Sequence, residues 1–172
     1  DQDASENAYN TAVGHDAGKL VTTGTHNTLI GAAAGDALTT GVRNVALGTY
    51  ALSAEDTGSR STAIGWYSLL SQNYDGVAYN TALGYNSGSS ITTGINNTII
   101  GSLAGDALTT GTANVAIGYE ALSTEDAHGR NVAIGYQALK VLDAGEHALN
   151  VAIGYQAGVA ATTAINSVFI GA

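Results

Sequence analysis

Residues Asn131–Gly135 read NVAIG, and the same five letters stand at Asn114–Gly118 and Asn150–Gly154. Looser copies, Asn-(Thr/Val)-small-aliphatic-Gly, begin at Asn10, Asn27, Asn44, Ser61, Asn80, Asn97 and Ser167. The intervals between successive starts run 17, 17, 17, 19, 17, 17, 17, 19 and 17. The two longer units fall in the same phase, which implies a super-repeat of four units. Residues 10–79 laid on 80–149 are identical at 35 of those 70 positions without a gap, and GDALTTG occurs at both Gly35–Gly41 and Gly105–Gly111. A unit this short cannot hold a helix pair, which needs more than about 30 residues.

The content of the unit argues for strands. Position 2 is always Thr or Val, and position 4 is always aliphatic, from Val13, Ile30 and Leu47 to Ile153 and Ile170. Positions two apart share one face of a strand, and β-branched side chains suit it. Position 5 is Gly in every unit, which marks a bend, and a second Gly near position 15 (Gly24, Gly41, Gly58, Gly94, Gly111) marks another corner. The fold expected is all-β: a parallel β-solenoid of about ten turns over residues 10–172, behind a lead-in or cap at 1–9. At roughly 4.8 Å per turn the rod is about 45–50 Å long. Position 1 is Asn in eight units, and an internal amide ladder at a corner where Asn adopts the left-handed conformation explains it better than a polar ligand row.

Position 4 is expected to form the buried column. Position 3, the other face, reads Ala12, Leu29, Ala46, Ala63, Ala82, Ile99, Ala116, Ala133, Ala152 and Phe169, with no polar residue. A strand with solvent on one side alternates apolar with polar, so apolar residues on both faces imply cover on both sides. An identical chain across a symmetry axis supplies that cover most simply, with Ala permitting close approach.

Composition narrows the function. The chain carries 5 basic against 14 acidic residues, a net charge of −9, which disfavours nucleic acid and anionic membranes. No run of 18 apolar residues suggests insertion into a membrane. With no cysteine there is neither a disulfide framework nor a thiolate metal site. The chain lacks methionine and begins at Asp1, which reads as a processed or excised piece of something longer.

Chemistry is hard to find in the linear sequence. His15, His26, His128 and His147 show no metal-binding spacing and read as solvated loop residues. The pairs Glu55-Asp56 and Glu125-Asp126 stand at equivalent places in the two super-repeats and could flank Ca²⁺ or act as paired carboxylates. Adjacent carboxylates on a strand point to opposite faces, however, and no third acid is close in sequence. GAAAG at Gly31–Gly35 lacks the Lys and Ser/Thr of a phosphate loop. No catalytic residue, cofactor or metal ligand is therefore assigned.

The NVAIG core resembles the head repeats of trimeric autotransporter adhesins. The longer NVAIGYQAL at Asn131–Leu139 is similar to repeats in phage tail-fibre proteins, often followed there by a self-cleaving chaperone domain. The resemblance covers residues 10–172. It implies a homotrimeric, left-handed parallel β-roll displayed outside a cell or on a virion, and attached to a surface. Adhesin heads have a shorter unit, which favours the phage fibre.

Two surfaces qualify as contacts. The two longer turns are expected to push extra residues outward at Tyr74–Tyr79 and Asp143–Leu149. The first of these turns also carries Trp66, Tyr67, Tyr74 and Tyr79, a candidate receptor patch whose aromatic faces suit a cell-surface glycan. Trp66 equally extends a position-6 row through Tyr85, Tyr119, Tyr136 and Tyr155, which by itself is structural. The Thr pairs at 22–23, 39–40, 92–93, 109–110 and 162–163 suggest an ice-binding face, although Asp56-Thr57, Asn73-Tyr74, Asp126-Ala127 and Asp143-Ala144 interrupt the row.

Overall fold

The computed structural model describes residues 8–145 and 148–171, so most of the expected lead-in lies outside it. It is an all-β parallel solenoid. Ten three-residue strands form one sheet: β1 (Thr11–Val13), β2 (Thr28–Ile30), β3 (Val45–Leu47), β4 (Thr62–Ile64), β5 (Thr81–Leu83), β6 (Thr98–Ile100), β7 (Val115–Ile117), β8 (Val132–Ile134), β9 (Val151–Ile153) and β10 (Val168–Ile170). They are ordered β1 to β10 in sequence, each paired in parallel with the next. Equivalent repeat positions face each other throughout, including Ala63 against Ala82 and Ala133 against Ala152 across the two longer turns.

The two faces of the strand are the reverse of the sequence expectation. Position 3 points into the solenoid: Ala46, Ala63, Ala82, Ile99, Ala116, Ala133 and Ala152 are wholly buried. Position 4 points out, with Leu47, Leu83 and Ile153 exposed and Ile30, Ile64, Ile117 and Ile134 half-buried. Volume supplies the reason. The interior is narrow and is filled mainly from the corner opposite the strand, at positions 9 and 12. Where position 3 is Ala, position 9 is usually Leu, as in Ala46 with Leu52, Ala63 with Leu69, Ala116 with Leu122 and Ala133 with Leu139. Where position 3 is large, position 9 is Gly. A Cβ on Gly35 would lie 2.9 Å from a methyl of Leu29, and one on Gly105 would lie 3.1 Å from a methyl of Ile99. Position 12 completes the core with Val21, Leu38, Ile91, Leu108 and Leu142, all buried.

The position-5 glycines stack against one another. Gly48 has φ +137°, and a Cβ on it would stand 2.5 Å from the carbonyl oxygen of Gly65 in the next turn. No side chain fits such an approach. The Asn corner is built slightly differently from expectation, because the left-handed residue is the one before Asn: His26 (φ 62°), Arg43 (59°), Ala113 (60°) and Arg130 (66°). Asn stabilises this corner through its side chain. The Oδ1 of Asn27 accepts the N–H of Asn44 at 2.9 Å, while its Nδ2 donates to the Gly41 carbonyl at 2.9 Å. The same pair of bonds recurs at Asn44, Asn97 and Asn150. The ladder is internal, as expected, but runs from amide to backbone more than from amide to amide.

The volume rule is directly testable. Ile99→Ala alone should cost about 2–5 kcal/mol in chemical denaturation, and Gly105→Leu alone should overpack the same turn. Together they recreate the Ala133/Leu139/Leu142 arrangement of a later turn, so the double variant should recover much of the loss.

Candidate functional site

The sheet's outer face is the most extensive candidate surface. It consists of position 2 (Thr or Val) and position 4 (Val, Leu or Ile) in every strand, without a single charged residue. Val13, Leu83 and Ile170 are 58 %, 47 % and 77 % exposed. Both strand faces are apolar, as the sequence argues, but the outward face carries the aliphatic column rather than the alanines.

An aromatic row runs beside this face, one or two residues past the position-5 glycine. Tyr119, Tyr136 and Tyr155 stack nearly parallel, with centroids 5.4 and 5.2 Å apart. Trp66 lies 5.0 Å from Tyr67 and 5.6 Å, edge-on, from Tyr85, and Tyr67 lies 5.5 Å from Tyr50. Ser102 occupies the equivalent place between the two groups and divides the row.

The four candidate receptor residues do not form one patch. Trp66 (51 % exposed) and Tyr67 share the aromatic row. Tyr79 precedes β5 and is engaged by Arg60, whose Nη1 donates to its hydroxyl at 2.7 Å and whose guanidinium lies 5.7 Å from its ring centroid. Tyr74 is half-buried, and its backbone N–H points at Glu55 Oε2, 3.3 Å away. The first of the longer turns is only partly extruded: Asp75 and Val77 face solvent, whereas Ala78 is fully buried. In the second, Asp143 and Leu149 are exposed and Ala148 is buried, while Glu146 and His147 lie outside the described residues.

The threonine pairs contribute inter-turn bonds. The hydroxyls of Thr22, Thr39, Thr92 and Thr109 donate to the carbonyls of Thr39, Asp56, Thr109 and Asp126, each in the following turn. In these four pairs the second Thr is left to solvent.

The acidic pairs are the least expected feature. Glu55 and Glu125 occupy position 12, a core position, and both side chains are fully buried. They belong to corners rather than strands, so the alternation that separates neighbouring side chains on a strand does not apply. Glu55 is well served: Oε1 accepts Gly58 N–H at 2.7 Å, and Oε2 accepts Gln72 Nε2 at 2.9 Å. Gln72, the position-12 residue of the next turn, also donates to Ser61 Oγ and accepts from Asn80 Nδ2, both at 2.8 Å. Burial is the dominant influence on Glu55 and pushes its carboxyl above the ordinary range, against the donors from Gln72, Gly58 and Tyr74, with the charge of Asp56 adding to the rise.

Glu125 has a different neighbourhood. Its Oε1 accepts His128 N–H at 3.1 Å and lies 2.6 Å from His128 Nδ1, so His128 is not a solvated loop residue. Its Oε2 is buried and has no hydrogen-bond partner, because Leu142 stands where Gln72 stands in the first half. Asp126, His128 and Asp143 each bring a ligand-type atom within 4.8 Å of one another and of one from Glu125. The third acid missing from the linear sequence is Asp143, one full turn after Asp126 and therefore directly beside it. His15 and His26 do lie toward solvent, the former near Asp16 and the latter stacked on Tyr9.

No family model, no curated protein and no solved structure matches the chain. Among the described residues, no helix is long and apolar enough to cross a membrane.

Glu55 gives a pH dependence of defined sign. A carboxyl with a raised folded-state pKa binds its proton more tightly in the fold. The stability it adds is therefore complete below the unfolded value, about 4.3, and is lost as pH rises through the folded one. On going from pH 7 to pH 5, the urea midpoint of the wild type should rise relative to that of Glu55→Gln.

Proposed function

We propose that the chain is a non-enzymatic rod or head segment of a homotrimeric extracellular fibre that mediates attachment to a cell surface, a phage tail fibre in preference to a bacterial trimeric adhesin head. The outer sheet face carries this reading. An uncharged aliphatic strip running along all ten strands is larger than a monomer ordinarily leaves in water, and parallel sheets are ordinarily covered on both faces. Its period equals the rise of the solenoid, so the surface that fits it best has the same period: another copy of the chain, in register, about an axis parallel to the rod. The resemblance of the NVAIG repeats to trimeric fibres supports three copies. Attachment is assigned to the aromatic row, which stands at the margin of the covered face.

The assembly is checked by light scattering, which should give about three times the 17.2 kDa chain mass. Ile117→Glu or Ile134→Glu should dissociate it, since a carboxylate there would be buried without a partner. Ala116→Glu and Ala133→Glu reach each chain's own core and should unfold it instead. A folded monomer with the strip in water would overturn the proposal. It would favour the ice-binding alternative, because the strip then presents Thr11, Thr28, Thr62, Thr81 and Thr98 on a regular sheet, and thermal hysteresis would be the measurement to make.

Recognition is tested separately. On a glycan array or on host cells, Trp66→Ala/Tyr67→Ala should weaken binding about tenfold or more while leaving the trimer mass unchanged, as expected when rings stacked on a sugar are removed. Tyr74→Ala should have little effect on binding, because that ring stacks on none of the row's aromatic side chains.

A further inference from the structure

We infer that the corner formed by Glu125, Asp126, His128 and Asp143 is a binding site for a divalent transition ion of the Zn²⁺ class. Four ligand-type groups from two successive turns converge there, each presenting an atom within 4.8 Å of the others. The independent observation is Glu125 Oε2, which belongs to a fully buried side chain and has no hydrogen-bond partner. A buried carboxylate oxygen without a donor is costly, and His128 satisfies only the other oxygen. Three carboxylates and one imidazole gathered around one point favour a cation. A dication seated there gives the buried Glu125 carboxylate a partner in addition to His128.

The chain contains its own comparison. The equivalent corner of the first super-repeat keeps the buried glutamate and Asp56 but differs at three places that bear on the ligand set. Gln72 stands for Leu142, Gly58 for His128 and Asn73 for Asp143. The first difference provides an amide that saturates the glutamate from inside the core. In the later corner that amide is gone, and an imidazole and a third carboxylate have appeared. All three differences turn a closed hydrogen-bond network into an open ligand set. The imidazole decides the class of ion. Ca²⁺ and Mg²⁺ take oxygen ligands in sixes to eights, whereas one nitrogen with three carboxylate oxygens suits a four-coordinate Zn²⁺.

The test is calorimetric titration of the chelator-treated, intact chain with Zn²⁺ at neutral pH, with circular dichroism to confirm that each variant is folded. One Zn²⁺ per chain is expected, with Ca²⁺ binding far more weakly. Asp143→Asn, the exposed and structurally safest change, and His128→Gln should each weaken Zn²⁺ binding at least about tenfold. Leu142→Gln should weaken it too, by giving Oε2 the internal donor found beside Glu55. Glu55→Gln should leave it unchanged. Absence of Zn²⁺ binding overturns the inference. So does wild-type affinity in both Asp143→Asn and His128→Gln, which would place the metal on other histidines, and so does Ca²⁺ binding as tightly as Zn²⁺.

Discussion

Closing a chain on itself once per short repeat leaves an interior of nearly fixed volume, and most of this structure follows from filling it. Each turn offers three inward positions that vary in size, one on the strand and two on the opposite corner, beside a position 8 that is always Ala or Ser. A large residue at one requires a small residue at another, hence Ala46 with Leu52 but Leu29 with Gly35. Interiors pack too densely to absorb a second large side chain without strain. The strand can therefore bury only one of its three residues per turn, and its remaining two must point outward whatever their polarity. That is how an aliphatic column comes to lie on the outside.

Register and architecture were legible in the sequence because they depend on spacing alone. Asn and Gly recur at fixed offsets, and the ladder joins equivalent positions without exception. Which face turns inward was not legible from the strand, since both faces are apolar. The signal lay elsewhere, in the inverse sizes of positions 3 and 9. A small residue beside a large one is how a narrow core announces its inward side, and hydrophobicity alone misses it.

The acidic corners are hard to read in the linear sequence for a related reason. In a solenoid, neighbours in space are residues one turn apart as well as residues adjacent in sequence. Glu125 and Asp126 look like an isolated pair in sequence, but Asp143 stands beside them in the next turn. Glu125 also falls at position 12, in line with Leu108 and Leu142, so its side chain enters the core. His128 reads as solvated because no metal-binding spacing links it to another histidine, yet its partner is a core carboxylate. The aromatic residues show the converse. Trp66, Tyr67, Tyr74 and Tyr79 lie close in sequence, but the strand ladder sends Tyr79 to one side of the sheet and Trp66 to the other.

The strictly sequential order of the sheet has a mechanical consequence. Every inter-strand hydrogen bond runs roughly along the rod, so tension applied between the two ends loads the turns in series rather than all at once. The outermost turn yields first, and its neighbour is exposed only then. A turn that contributes about 4.8 Å to the rod releases roughly 55–60 Å of extended chain when it peels away. A single chain therefore responds to a pull by lengthening more than about tenfold, one turn at a time. Each step dissipates the work of opening one rung of the Asn corner and one layer of core, so the molecule behaves as a shock absorber whose stroke is set by the number of its turns.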